Sequence, residues 1–545
     1  MDIQRLFHTV RYLRLQQLTG RIVHRLHQPR PDLRPAPAHR RVAAPWTPAV
    51  SRAVSMLAPD RFRFLNSEHT LCFPAAWNDP ALPKLWLYNL HYFDDLNAEG
   101  ADAHRDRHAA LIARWIAENP PGAGNGWEPY PLSLRIVNWI KWVLAGNELP
   151  PDALHSLAIQ ARFLRKRLEY HLLGNHLWAN AKALVFAGLF CDGPEADGWL
   201  DKGLEILARE IPEQILPDGG HFERSPMYHA IILDDLLDLV NLSRTFGREV
   251  PAVWLDAIAR MRRWLVALTH PDGRIALFND AAFGVAPEPA ALEAYAERLG
   301  LPDMGPISGG AVRLGDTGYL RVKAGHAVAF LDVAPVGPDY IPGHAHADTL
   351  GFELSLSGRR VIVDSGTSTY EKNVERQRQR GTAAHNTVTI DGADSSEVWG
   401  GFRVARRARP FDLRVEDNSG DVFVSCAHDG YRRLPGRPVH RRDWRLTADA
   451  LQVCDRIEGA FQHAVARYHF HPDVTVELDD PTCGRGTLAD GRHFYFRVGK
   501  GVATLANTTY HPEFNVSIAN QCLELTFAGP EACVVFEFQP LAASR

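Results

Sequence analysis

The chain changes rhythm once, near residue 300, and that change limits what it can fold into. From about residue 102 apolar residues recur at helical spacing, with helix candidates at 102–118, 131–145, 152–172, 176–190, 199–215, 226–246, 251–268 and 288–299. Several start signals are good: Pro131 in a first turn, Asp152 after a proline pair, and Ser225-Pro226 as cap and first residue. Broad apolar faces, as in Leu134, Val137, Trp139, Ile140, Val143 and Leu144, mean that helices pack on both neighbours. Short connections imply antiparallel hairpins, and the helices are too many for a four-helix bundle. From Tyr319 onward short alternating runs take over, at 319–323, 328–333, 350–356, 360–364, 387–391, 422–426, 451–454, 466–470, 493–498 and 534–538. Many strands with turn residues between them predict stacked antiparallel sheets. The expected fold is multidomain: an N-terminal α/α toroid, an incomplete barrel of helical hairpins, followed by a C-terminal antiparallel β-sandwich.

Three segments follow from this division: 1–48, 49–304 for the toroid and 305–545 for the sandwich. In the first, Ile3, Leu6, Phe7, Val10, Leu13, Leu18, Ile22 and Leu26 fall at near-helical spacing with arginines opposite, and residues 29–48 form a Pro/Arg-rich connector. A basic amphipathic helix can dock on its own domain or lie on an anionic membrane surface, so contact with a membrane surface stays open. Arg5, Arg11 and Arg14 break any signal-peptide core, and no run is long and apolar enough to span a bilayer. A cytoplasmic location is therefore the default expectation, with periplasmic or membrane-associated locations as alternatives. The formal charge of −4 over 545 residues argues against a nucleic-acid partner. Seven scattered cysteines without a Cys-X-X-Cys rule out a zinc ribbon and argue against a disulfide framework.

Polar groups concentrate at a few places. In the strand-rich half, Gly343-His344-Ala345-His346-Ala347-Asp348 precedes one strand, Asp364 ends the next, and His385 precedes a third. A sheet can bring His346, Asp364 and His385 together, and two imidazoles with a carboxylate suit zinc or a similar divalent ion. The chain has 25 histidines, so surface or core-satisfied histidines are the competing explanation. In the helical half the places are an aromatic segment with His91 and Tyr92, the loop with Trp127 and Glu128 leading to Arg135, the pair Asn175-His176, and the loop from Asp218 through Glu223 to Tyr228. Asn175 could be only a helix cap and Tyr228 only a core tyrosine. Trp127, Glu128, Arg135, Glu223, His91 and Tyr92 are the candidate substrate-binding residues. Arginines 376, 378 and 380, then 403, 406, 407 and 409, could grip an anionic chain or be solvated surface.

The blocks Gly343 to Glu353, Val361 to Gly366 and Gly381 to Val388, with Gly174-Asn175-His176 and Asp218 to Tyr228, resemble the heparinase II/III family of polysaccharide lyases. Asn89 to Asp94 is similar to members from bacterial exopolysaccharide clusters. The resemblance implies a toroid joined to a sandwich and cleavage of an acidic, uronate-containing polysaccharide by β-elimination. It implies that Asn175 with His176 contacts the substrate carboxylate, that Tyr228 is the catalytic tyrosine and His344 a base, and that His346, Asp364 and His385 hold a divalent metal, zinc by preference. Whether Asn175 or His176 leads is left open, as is which of Tyr228 and His344 is the base. Two other readings remain: a glycoside hydrolase using Glu223 and Asp218, and a non-catalytic glycan-binding protein of exopolysaccharide assembly.

Overall fold

The computed structural model describes residues 3–307 and 309–538; residues 1–2, 308 and 539–545 of the segments above lie outside the described residues. The helical half follows the sequence rhythm, with helices Pro129–Leu144, Ala153–Lys166, Gly174–Phe190, Pro194–Gln214, Pro226–Thr245, Ala252–Ala267 and Pro289–Arg298. Two of them carry the argument. Gly174–Phe190 and Pro226–Thr245 are almost wholly buried, their polar residues included, with Lys182 of the first paired to Asp235 and Asp238 of the second, so they form the inner wall of the toroid. Both point their N-terminal turns at the strand-rich half. Ser225 accepts a 3.3 Å hydrogen bond from the Tyr228 backbone N–H, which fixes Tyr228 in the first turn. Asn175 is no cap: the helix starts at Gly174, and Leu173 takes the cap position.

The alternating runs build three antiparallel sheets. A five-stranded meander runs Gly310–Leu314, Tyr319–Ala324, Ala327–Asp332, Phe352–Leu356 and Arg359–Ile362. The other two have eight and four strands, and one core, including Val322, Phe352, Val424, Trp444, Tyr468 and Phe536, draws on all three. This is the toroid-plus-sandwich architecture expected. Cys454 and Cys533 lie opposite each other on paired strands and form a disulfide.

Two local features were not anticipated. Residues 56–70 form a small three-stranded sheet, Met56–Ala58, Arg61–Phe64 and Ser67–Thr70, whose Arg-Phe-Arg-Phe alternation is only four residues long. The N-terminal amphipathic stretch breaks into two helices, Ile3–Val10 and Leu15–Leu26. The connector behind them is extended and held down by Arg162, which donates to the carbonyls of Asp32, Arg34 and Pro35. No described helix is long and apolar enough to cross a membrane.

Candidate active site

The loop between Ala327–Asp332 and Phe352–Leu356 carries His344 to the mouth of the toroid, where the histidine ring lies on Tyr228 with centroids 4.0 Å apart. The Tyr228 hydroxyl shares a 3.1 Å hydrogen bond with the hydroxyl of Tyr370, from the sandwich. Glu223 Oε2 is 3.5 Å from His344 Nε2. Beside it, a Cβ on Gly174 would come within 3.0 Å of Glu223 Oε1, and Gly174 has φ +53°, so glycine is needed twice over. Asn175 follows directly, and its backbone N–H lies near Glu223, whose two carboxylate oxygens are buried without a hydrogen-bond partner. Asn175, Glu223, Tyr228 and His344 thus share one place, the seam between the two halves. Tyr228 is 7% exposed, buried against His344 and Tyr370 rather than wholly among helices.

His176 is turned sideways, toward Glu169. Its Nδ1 lies 3.1 Å from Glu169 Oε1 and its ring rests on Tyr130 at 4.6 Å. Burial would lower its pKa, but the Glu169 carboxylate overrides that and the net shift is upward. Burial raises the pKa of Glu223, against the pull of His344 and the Asn175 N–H. Burial, then Tyr370, raises that of Tyr228 well above the ordinary phenol value, so Tyr228 is a neutral proton donor as it stands.

The residue that organises the seam is Asp280. It is fully buried, and its carboxylate receives His344 Nδ1 and His346 Nε2, each at 2.8 Å, and the Arg376 guanidinium, one nitrogen at 2.6 Å. Burial alone would raise its pKa; Arg376 and the two imidazoles instead hold it well below the carboxylate range. Because a carboxylate only accepts, Nδ1 of His344 must carry a proton, which leaves Nε2 facing Glu223. Three non-glycine residues with left-handed backbone adjoin the site: Leu173 (φ 64°), Arg224 (φ 59°) and Asn279 (φ 58°). Such strain persists where surrounding bonds over-determine it. Here the Arg224 carbonyl accepts from both Tyr319 Oη (2.7 Å) and Asn279 Nδ2 (3.0 Å).

Several sequence candidates belong to the core instead. His91 is fully buried, bonded to the Trp77 carbonyl (2.9 Å) and accepting from the Trp115 indole (3.0 Å). Arg135 is fully buried over the Trp115 ring and donates to Gln160, His91 O and Gly126 O. Trp127 is buried between Trp115 and Phe163. A substrate cannot reach these three, and their polar groups are already spent holding the toroid. Tyr92 is buried behind Tyr130, and Glu128 is half-exposed but tied to Lys84 and Tyr88. Arg376 and Arg380 are fully buried, one on Asp280 and the other on the Ala345 carbonyl, so they are neither anion grips nor solvated surface. Asp280, Arg376 and Tyr370 as parts of the site went unseen. The one local signal for Asp280 is the polar pair Asn279-Asp280 inside the apolar run from Ile275 to Phe283.

The carboxylates of the hydrolase reading do not converge. Asp218 is saturated by Gly220 N, Asp316 N and both the N–H and hydroxyl of Thr317, a clamp between the two halves. The metal candidates lie behind His344. His385 Nδ1 is 2.7 Å from Asp364, the His346 and His385 rings are 5.2 Å apart, and burial pushes His346 down to about 3. No three such side chains among the described residues converge as they stand to hold an ion. The donor chemistry nevertheless suits one: His346 Nδ1, His385 Nε2 and Asp348 Oδ2 are buried without hydrogen-bond partners.

Residues 97–293 match the family model "Heparinase II/III N-terminus" and residues 307–537 match "Heparinase II/III-like, C-terminal". FtsZ-localized protein C of Caulobacter vibrioides is 27% identical over 73% of this chain and 72% of its own length. The heparin-sulfate lyase of Bacteroides stercoris is 29% identical over 42% of this chain, which spans only 37% of that lyase. The crystal structure of heparan sulfate lyase HepC from Pedobacter heparinus superposes with a TM-score of 0.58 at 19% identity, covering 89% of this chain and 82% of HepC, a likeness of fold. With both halves matched in order, the chain belongs to the heparinase II/III-like family of polysaccharide lyases.

Proposed function

We propose that the protein cleaves a uronate-containing acidic polysaccharide, of the glycosaminoglycan class, by β-elimination. The observation that carries this is the close contact of the Tyr228 and His344 rings, with Asn175 and Glu223 beside it and Asp280 behind it. Elimination removes the C5 proton of the uronate and breaks the bond from C4 to the leaving oxygen, forming a C4–C5 double bond. The negative charge that grows on the carboxylate needs fixed positive partners, usually the largest catalytic contribution. The Asn175 amide and the N-terminal turn of its 17-residue helix supply donors and partial positive charge, and His176, one residue on and held by Glu169, adds an imidazole of raised pKa. His344, with Nδ1 held by Asp280, offers Nε2 as the base. Tyr228, kept neutral by burial, gives its hydroxyl proton to the leaving oxygen. Binding in the order of such a cleft lets each proton move between groups already in contact.

Incubation with a panel of uronate-containing polysaccharides is expected to yield chain ends that absorb in the ultraviolet. Glu223→Gln should cost less than loss of Tyr228. New reducing ends without ultraviolet absorbance, abolished by Glu223→Gln and spared by Tyr228→Phe, would decide for hydrolysis. No turnover of any member would favour a binding role, in keeping with a long relative named for its place with FtsZ.

A divalent metal, zinc by donor type, is the second part of the proposal. His346 and His385 would hold it through their unpartnered nitrogens together with carboxylate oxygen, and Asp364 on the far nitrogen of His385 would orient that ring. When bound it supplies fixed positive charge that orders the His344 loop. Elemental analysis of protein purified without chelator should find close to one equivalent, and His385→Ala should lose it with a fall in melting temperature. Metal-free protein whose melting is unmoved by His385→Ala would sink this part.

A further inference from the structure

The two N-terminal helices are docked inside out. A helix that belongs to its own domain turns its apolar stripe inward. In Leu15–Leu26 the stripe facing the body is instead Gln17, Gly20 and His24. Gln17 is buried and donates to the Tyr340 carbonyl at 3.0 Å, and a Cβ on Gly20 would come within 3.0 Å of the His171 backbone. The His24 ring lies 4.0 Å from that of His171. On the opposite side, by the helical period, Leu15 (75% exposed), Ile22 (61%) and Leu26 (78%) face outward. The preceding helix does the same with Ile3 (82%) and Phe7 (61%).

Within the segment that carries these stripes the charge has one sign. Between residues 3 and 31 there are six arginines and no acidic residue. Beneath the second helix lies a half-open cavity of about 350 Å³ whose wall, in part apolar, includes His24, His27, Lys166, Arg167 and Arg209 and no carboxylate. Arg167 spends its terminal nitrogens on His24 and His27, while its Nε is buried with no hydrogen-bond partner. Burial, reinforced by Arg167, pulls the pKa of His24 down, so His24 is the neutral partner of Arg167, and the positive charge at the cavity is that of Lys166, Arg167 and Arg209, the last 3.8 Å from Glu205. An exposed apolar stripe, flanking arginines and a cavity with basic residues in its wall, roomy enough for a phosphate with part of its headgroup, match the chemistry of an anionic lipid surface.

We propose that these helices are an interfacial anchor: the exposed stripes enter the headgroup zone of an anionic membrane, and a lipid phosphate occupies the basic cavity. The anchor is held to both halves of the molecule. Arg14 lies over the Tyr340 ring at 3.6 Å and pairs with Glu213 at 2.5 Å, Trp399 donates to Thr9 Oγ1 at 3.1 Å, and Arg407 covers Tyr12 at 3.9 Å. Tyr340 opens the segment that leads to His344, so docking fixes how the cleft is presented above the surface.

The full chain is to be sedimented with vesicles of phosphatidylcholine alone and of phosphatidylcholine rich in phosphatidylglycerol. Binding is expected only to the second kind and to weaken with salt. Phe7→Glu and Ile22→Glu, both at exposed positions, should lower vesicle affinity by roughly tenfold or more while melting is unchanged. Lys166→Ala and Arg209→Ala should each lower it by roughly fivefold. Binding to neither vesicle at low salt, or binding untouched by Phe7→Glu and Ile22→Glu, overturns the proposal. So does a dimer in light scattering that Ile22→Glu dissolves without any vesicle binding, which would make the stripe a contact between two copies. Retention on an acidic polysaccharide but not on vesicles would assign the basic cavity to the glycan and overturn it equally.

Discussion

Tyr228→Phe is expected to fold nearly normally and to lose roughly 10²–10⁴-fold in turnover, the usual worth of a positioned proton-transfer group. The phenyl ring keeps the 4.0 Å contact with His344 and its place in the first turn of Pro226–Thr245. What disappears is one exchangeable proton and the 3.1 Å hydrogen bond to Tyr370. Losing that bond leaves a buried hydroxyl unpaired, a penalty of about 1–3 kcal/mol, so a small fall in melting temperature accompanies the kinetic effect. Tyr370→Phe is the control. It removes the same bond from the other side but leaves the Tyr228 proton, so it should cost similar stability and far less turnover. Equal damage from both variants would show that the hydroxyl pair matters only as packing. Turnover within a few-fold of the parent in Tyr228→Phe would remove Tyr228 from the mechanism.

What the sequence reveals here depends on how far apart the partners are. Ser225-Pro226 announces a helix start because cap and helix are neighbours, and Tyr228 is placed by that local rule. The His344 loop is legible because the strands around it alternate with period two. Burial is not legible in the same way. Arg135, His91 and Trp127 look like a polar, ligand-facing group until the toroid closes round them and their bonding partners prove to be backbone carbonyls and rings from other helices. Arg376 and Arg380 mislead for the same reason, since an arginine in a short helix gives no sign of an aspartate that lies 96 residues earlier. Asp280 reaches His344, His346 and Arg376 across 64, 66 and 96 residues, and no periodicity links it to them. The helix pair at the N-terminus shows the converse. Its amphipathic pattern is plain, yet which face meets the body is decided by Gly20 against His171 and by Gln17 against Tyr340, not by the pattern.

Asp280→Ala should be among the most destabilising single changes in the molecule, by about 3–5 kcal/mol, because it strands the buried Arg376 charge. Arg376 would keep the Gly401 carbonyl as a partner for its Nε, which does not compensate a full charge. The pH dependence follows from the same ion pair. Since the folded-state pKa of Asp280 is depressed, its contribution is fully present above the ordinary carboxylate range and is lost as pH falls below it. Acid should therefore weaken the parent and leave the variant less affected. Stability and catalysis can be separated by pairing the change with Arg376→Met, which replaces the stranded charge by an apolar side chain of similar reach. The double variant should recover much of the melting temperature, a coupling expected of residues in one network. It should not recover turnover, because His344 Nδ1 would still lack the acceptor that fixes its tautomer and aims Nε2. Calorimetry and steady-state kinetics on the single and double variants test both halves. Full recovery of turnover in the double variant would reduce Asp280 to a partner of Arg376, and the positioning role for His344 would fall.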